Sequence, residues 1–287
     1  MEGGSRMRPA RIREMAGMAA VESAVLGASG GILHAFSTRQ GGVSRPPFAT
    51  LNLGQSVGDD PAAVAENRRR FFGAFEIDAG RVVRVWQAHG NGVVRVDAEL
   101  AGRPGFPGCL MDERGKFDAL ITQLPGLALT VSTADCLPIL IHDTVRRAVA
   151  AVHAGWRGTA QRVAARALAA MRDAYGTDAS DCRAAIGPGI RGCCFEVDAA
   201  VTDAMAAALP DWERHAQANR PGHWLFDLAE VNRSILESAG VRDDRIEDVG
   251  LCTSCRNELF FSHRADKGRT GRMMNFILLK DEDRQKW

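Results

Sequence analysis

No charge of one sign dominates this chain of 287 residues: 36 Lys and Arg stand against 35 Asp and Glu, a formal net charge of +1. A balance this even gives no reason to expect a nucleic acid or an anionic membrane as partner. Arg outnumbers Lys 32 to 4, which reads as compositional bias and not as a binding surface. Long hydrophobic runs are missing too. The apolar stretches are strand-sized, which excludes a transmembrane helix of the usual length. The apolar patch after Arg13 is broken by Glu22 and followed by no export pattern. The seven cysteines are an odd number, with Cys193 and Cys194 adjacent; that suits free thiols in a reducing compartment, and the cytoplasm is expected. There is no internal repeat or low-complexity segment. The glycine loops GGVS and GPGIRG have neither P-loop nor dinucleotide-fingerprint spacing. Finally, none of the seven histidines forms a His-x-His pair.

What is present is an ordinary globular composition, 46% hydrophobic and 25% charged, organised around the stretch 127–158, LALTVSTADCLPILIHDTVRRAVAAVHAGWRG. Aliphatic and β-branched runs punctuated by Asp, Pro and Gly predict strands over 127–132, 137–142 and 147–153. The last two are separated by Asp143-Thr144-Val145-Arg146, a common hairpin length. If His142 faces Arg147, Cys136 lies opposite His153, with Cβ atoms roughly 4.5–5.5 Å apart. A thiol and an imidazole then meet where the hairpin opens into loops rich in Gly and Ala. A slip of one residue would separate them to opposite faces.

The rest of the chain supports one domain over 21–287, preceded by a flexible, dispensable extension over 1–20. A strand over 32–36 runs into the turn Ser37-Thr38-Arg39-Gln40-Gly41-Gly42. Asp60 and Pro61 mark a helix start, followed by Val64, Asn67, Arg68 and Phe71 at helical spacing. Two strands flank Gln87-Ala88-His89-Gly90-Asn91-Gly92, which presents His89 on a glycine-bordered loop. Residues 98–116 are expected to be a surface excursion, and 117–121 resume the sheet. Helices are predicted over 159–175, 197–209 and 227–239, the last capped by Asp227, with a strand over 183–187 and a closing strand over 273–279.

One Cys and two His, if His89 joins Cys136 and His153, supply three protein ligands and leave a fourth position open, the pattern of catalytic zinc. A buried Cys and two satisfied core histidines would fit the same residues. Cys252-x-x-Cys255 has metal-ligand spacing but no second pair at zinc-ribbon distance, so free thiols are expected there. Cys193 and Cys194 read as small buried packing. Arg39 and Arg68 could hold an anion bidentately, although each alone is commonly a surface or ion-pair arginine.

Read in order, FSTRQGGVS, LNLG, GDDPAAVAENR, QAHG, FDALIT, TADCLPIL, VAAVHAGWRGT, IGPGIRGCCFEV, DLAEVNR, CT and FFSHR…TGR resemble the YfiH-like laccase-domain family, the "polyphenol oxidase" or purine nucleoside phosphorylase group. The resemblance runs from about residue 31 to 280. It implies an α/β (mixed α+β) single domain with mixed sheets packed between helices, shared with a deamidating toxin domain. It also implies zinc on His89, Cys136 and His153. Ala88 stands where valine is usual and His263 where tyrosine is usual. The implied activities are phosphorolysis of adenosine, inosine and methylthioadenosine, and adenosine deamination. The implied partners are a purine nucleoside and phosphate, in a monomer or homodimer. Arg39, Arg68 and the Asn52 amide are candidates to position the phosphate and the sugar. Two rivals remain. Copper in a His₂Cys set would make a phenol oxidase, although a multicopper oxidase also builds a trinuclear cluster from His-x-His pairs. Cys136 as nucleophile with His153 as base would make a metal-independent hydrolase or amidase acting, for example, on peptidoglycan precursors.

Overall fold

The central hairpin forms from strands Leu137–Asp143 and Ala148–Ala154. Its register differs from the expected one by two residues: Asp143 pairs with Ala148, and His153 with Pro138. Asp143 stays on the ladder because its Oδ1 accepts the N–H groups of Val145 and Arg146, each at 2.9 Å. Arg147 turns the chain with φ +51°, so the loop is Thr144 to Arg147. A two-residue shift preserves which side chains share a face. Cys136 and His153 therefore remain on one side of the sheet, as diagonal instead of direct neighbours.

The structure, a computed structural model, describes residues 10–103, 106, 109–110 and 116–281. Among them, the hairpin lies inside a six-stranded sheet in the order Ile246–Asp248, Cys182–Ile186, Leu137–Asp143, Ala148–Ala154, Ala119–Thr122, Val93–Arg95. A seven-stranded sheet runs Arg11–Met15, Met18–Glu22, Ile32–Ser37, Met273–Leu279, Ala128–Thr133, Val82–Val85, Cys109–Leu110. A small third sheet joins Glu196–Val197, His223–Phe226 and Ala216–Arg220; the polar stretch around 211–222 thus carries a hairpin. Much of the predicted surface excursion at 98–116 lies outside the described residues.

Alternation along the buried strands sorts the core into layers. Leu140, Val149 and Ala151 face the seven-stranded sheet, meeting Leu129, Val131 and Ile277. Ile139, Ile141, Ala150 and Val152 face the other way, against Ala167, Leu168 and Met171 of helix Val163–Tyr175 and Val231 and Ile235 of helix Leu228–Ser238. On the outer face of the seven-stranded sheet, Phe71 and Phe72 of helix Pro61–Gly73 surround Phe276 with Phe75. The molecule is a mixed α+β single domain, layered helix, sheet, sheet, helix. Asp60 and Asp227 cap their helices as expected, accepting from Ala62 N and from Ala229 and Glu230 N.

Two expectations are corrected. Residues 11–22 are not a loose extension: Arg11–Met15 and Met18–Glu22 pair as a hairpin, and Met18 to Val21 are buried against the Ile32–Ser37 strand. Apolar residues here complete the edge of the core, which a reading of basic and small residues did not anticipate. Residues 1–9 lie outside the described part. The helix expected over 159–175 is broken at Arg162, whose φ of +56° separates a short Trp156–Ala160 turn from Val163–Tyr175.

Two histidines belong to the core. The buried His34 Nε2 accepts the N–H of Ser23 at 2.9 Å, and His142 Nδ1 lies 2.9 Å from Ser29 Oγ. Burial lowers each to about 4 from 6.5. The unfolded chain therefore binds protons first as the pH falls, and these groups favour folding above about pH 6.5 and lose that contribution progressively toward about pH 4. The expected cost is a few kcal/mol per histidine. Urea midpoints of wild type should drop more between about pH 7 and about pH 4 than those of H34Q/H142Q. Parallel declines would show that carboxylates alone govern acid sensitivity.

Candidate active site

At one end of the space between the two sheets, His89, Cys136 and His153 converge, with their ligand atoms all within 4.8 Å of one another. Each arrives differently. His153 is the penultimate residue of a fully buried strand. Cys136 sits just before Leu137–Asp143, after Asp135 at φ +89°. His89 occupies the expected glycine-bordered loop with φ +61°. Left-handed backbone at non-glycine residues is costly and clusters at functional sites; here it aims two of the three donors. The His89 and His153 rings meet edge to face at 4.8 Å between centroids.

Asp118, which opens the Ala119–Thr122 strand, organises this convergence. Its carboxylate accepts His153 Nδ1 at 2.8 Å and the N–H groups of His89 at 2.9 Å, Gly90 at 2.7 Å and Ala88 at 3.2 Å. The bond to Nδ1 directs His153 Nε2 toward the cluster and orients the ring, as carboxylate–histidine pairs do at metal centres. Burial would push Asp118 up, but His153 and the backbone donors outweigh it and hold the carboxyl below its ordinary range. Gln87 ties the same loop to the other sheet, donating to Ser132 O at 2.8 Å and accepting Ser132 N at 2.7 Å.

The glycines of HAGWRG have a steric reason. A Cβ on Gly155 would stand 3.0 Å from Cys136 Sγ and 3.2 Å from the His89 ring, and one on Gly158 2.7 Å from Gly90 O. Glycine at both positions lets the backbone close over these ligands.

Charge is arranged to favour a thiolate. Burial would raise Cys136, yet His153 and His89 bring it down to about 6. Burial would lower His153, yet Cys136 and Asp118 lift it to about 9. A thiolate facing imidazole nitrogens is the donor set that a soft or borderline divalent cation takes, so the residues fit zinc.

The cluster opens into a cavity of about 700 Å³, whose lining includes Trp86, Trp156, Arg68, Arg264, His263 and Arg272. Burial lowers the Arg272 guanidinium, while Cys136 and Asp135 favour its charge. Asp135 is itself held by Thr253 Oγ1 at 2.7 Å and Arg264 N at 2.6 Å.

Of the predicted anion residues, Arg68 lines the cavity, with Nε and Nη2 donating to Leu53 O. Arg39 and Asn52 do not. Arg39 donates to Ala49 O and Asn257 O and lies over the Phe261 ring at 4.6 Å. Asn52 is fully buried, donating to Asp59 at 2.8 Å and accepting Arg272 N at 2.9 Å. Both are scaffold, as is Asn67, which donates to Ser44 Oγ, Thr50 O and Asn52 O and accepts Val43 N. Asp118, Asp135, Arg272 and Trp86 were not singled out from the sequence. The available signal was weak: an acidic residue opening a buried strand, and another directly before Cys136.

With this geometry established, likeness to known proteins can be placed on it. A family described as multi-copper polyphenol oxidoreductase laccase matches residues 33–280. The chain belongs to this laccase-like family. Purine nucleoside phosphorylase YlmD of Bacillus subtilis is 35% identical over 250 residues, 87% of this chain and 89% of that protein. The crystal structure of Bacillus licheniformis hypothetical protein YfiH matches at TM-score 0.85 and 36% identity, covering 95% of this chain and 100% of that one. YlmD from Geobacillus stearothermophilus matches at 0.87 and 34%, again over 95% and 100%. The laccase-like chain therefore shares its fold with both. Among the described residues, no helix is long and apolar enough to cross a membrane.

Proposed function

We propose that this laccase-like chain is a zinc-dependent purine nucleoside enzyme that cleaves adenosine, inosine and methylthioadenosine with phosphate and also deaminates adenosine. The observation that carries the reading is the His89–Cys136–His153 set, oriented by Asp118 and open to a cavity lined by tryptophans and arginines. The name of the Bacillus subtilis relative supports nucleoside and phosphate as substrates. Zinc in this set would supply Lewis-acid activation of water and of electronegative substrate atoms.

The protein's own groups account for the rest. Trp86 is 44% exposed and offers a flat surface against which a purine can stack. Arg68 and Arg272 supply the charge to bind hydrogen phosphate, whose oxygen attacks C1′ as the bond from C1′ to the base nitrogen breaks; the proton the phosphate gives up is taken by the departing nitrogen, giving sugar phosphate and free base. Asp118 keeps the proton on His153 Nδ1 and so leaves Nε2 as donor. A cytoplasmic monomer or homodimer completes the reading.

The test is metal analysis of purified protein together with adenosine turnover with and without phosphate. Zinc near one equivalent at this site and phosphate-dependent release of base are expected. Arg68→Ala should raise the phosphate requirement by about one to two decades, the worth of a charged hydrogen bond, with the metal content unchanged. Unaltered phosphate dependence would remove Arg68 from the site, and turnover insensitive to metal removal would defeat the zinc reading. That last outcome would favour a Cys136–His153 hydrolase, which the depressed thiol beside a raised imidazole also permits. A copper oxidase has less support, since no His-x-His pair is available for a trinuclear cluster.

A further inference from the structure

Four cysteines from two distant stretches meet outside the cavity site. Cys193 and Cys194 follow the Gly189-to-Gly192 loop, and Cys252 and Cys255 bracket the turn after Leu251. All four sulfur atoms lie within 4.8 Å of one another, with Cys193 Sγ 3.5 Å and Cys194 Sγ 3.3 Å from Cys255 Sγ. The two cysteines expected to be buried packing are not: Cys193 is exposed and Cys194 half-buried. Cys252 is in the core and Cys194 packs against it, but Cys193 and Cys255 are exposed, so packing does not explain why all four gather.

The spacing discriminates between chemistries. A disulfide holds its sulfurs about 2.05 Å apart. Four thiolates around zinc at about 2.3 Å form a tetrahedron with edges of roughly 3.8 Å. The observed separations of 3.3 and 3.5 Å, with all four sulfurs inside 4.8 Å, exclude the first and suit four sulfurs gathered around one cation.

The two loops are also registered against each other. Gly189 N donates to Leu251 O at 3.2 Å, Thr253 N donates to Gly189 O at 3.1 Å, and Arg191 pairs with Asp248 at 2.8 Å. This pairing brings the vicinal cysteines opposite the Cys-x-x-Cys turn, supplying the second ligand pair that linear spacing lacked.

We propose that Cys193, Cys194, Cys252 and Cys255 form a second metal site, a closed four-thiolate centre for a zinc-like divalent cation. With four protein ligands it keeps no open position, so its role is structural. It fastens the loop carrying Ile190 and Phe195, both of which line the cavity, to the turn whose Thr253 holds Asp135 beside Cys136. The site thus braces one wall of the cavity from behind, whatever reaction the cavity performs.

The full chain, purified without added metal, should carry about two zinc per molecule, and H89A/H153A about one. Reconstituted with cobalt(II), H89A/H153A should show the strong sulfur-to-cobalt charge-transfer absorption of a four-thiolate site. Cys193→Ser/Cys255→Ser, which alters two exposed positions, should lose that absorption and one equivalent of metal. The four-thiolate spectrum identifies this centre even if the cavity site holds nothing, so the two readings fail separately. Absence of metal and of the cobalt spectrum in H89A/H153A would overturn the proposal. So would a thiol titration of unfolded wild type showing these cysteines paired as disulfides.

Discussion

Cys136→Ala and His153→Ala are each expected to lose the cavity-site zinc and with it nearly all adenosine turnover. Both remove one of three donors whose atoms gather within 4.8 Å, and two remaining ligands hold zinc poorly. His89→Ala should behave alike, because the loop that carries it is pinned by Asp118 and Gln87 and brings no substitute donor. Asp118→Asn gives an intermediate result. It keeps the shape of the side chain but weakens the hold on His153 Nδ1 and on three backbone N–H groups, and a loss of about 10–100-fold in metal affinity is expected. Competitive chelator titration would rank the series. Full zinc occupancy at the cavity site in both Cys136→Ala and His153→Ala would remove these residues from the ligand set. The Cys193→Ser/Cys255→Ser background isolates that site for the measurement.

The second large effect concerns the chemistry of Cys136. In the zinc-loaded protein its sulfur is a coordinated thiolate, and iodoacetamide should modify it slowly; after chelation the rate should rise steeply. In the metal-free protein the pH profile has a definite position. Burial would raise this thiol, but His153 and His89 bring it to about 6, so the alkylation rate should climb through about pH 6 and level off above it. An ordinary thiol would still be gaining reactivity near pH 8.5. Fast labelling in untreated protein with chelator-resistant turnover would instead identify a cysteine nucleophile. Cys136→His sharpens the comparison: a third imidazole still holds zinc, and it cannot form an acyl-thiol intermediate.

The sequence by itself determined a good deal about this protein. Aliphatic runs bounded by Asp, Pro and Gly located the strands around residues 127–153, and the caps Asp60 and Asp227 started their helices where expected. Strand alternation alone places Cys136 and His153 on one face, and that inference survived a two-residue error in register. These features are local: periodicity, turn chemistry and a helix cap act within a few residues. Tertiary structure decided what depends on distant partners. Asp118 joins His89 to His153 because a loop and two strands end at one point, which no spacing announces. Arg39 and Asn52 looked like substrate ligands, yet the Asn257 carbonyl and the Arg272 N–H, each brought in from more than two hundred residues away, engage them. Cys193 and Cys194 lie about sixty residues from Cys252 and Cys255, and only the pairing of Gly189 with Cys252 sets the four side by side. A side chain carries its chemistry in the sequence, but its partners are chosen by packing between segments, and those choices separate a ligand from a scaffold.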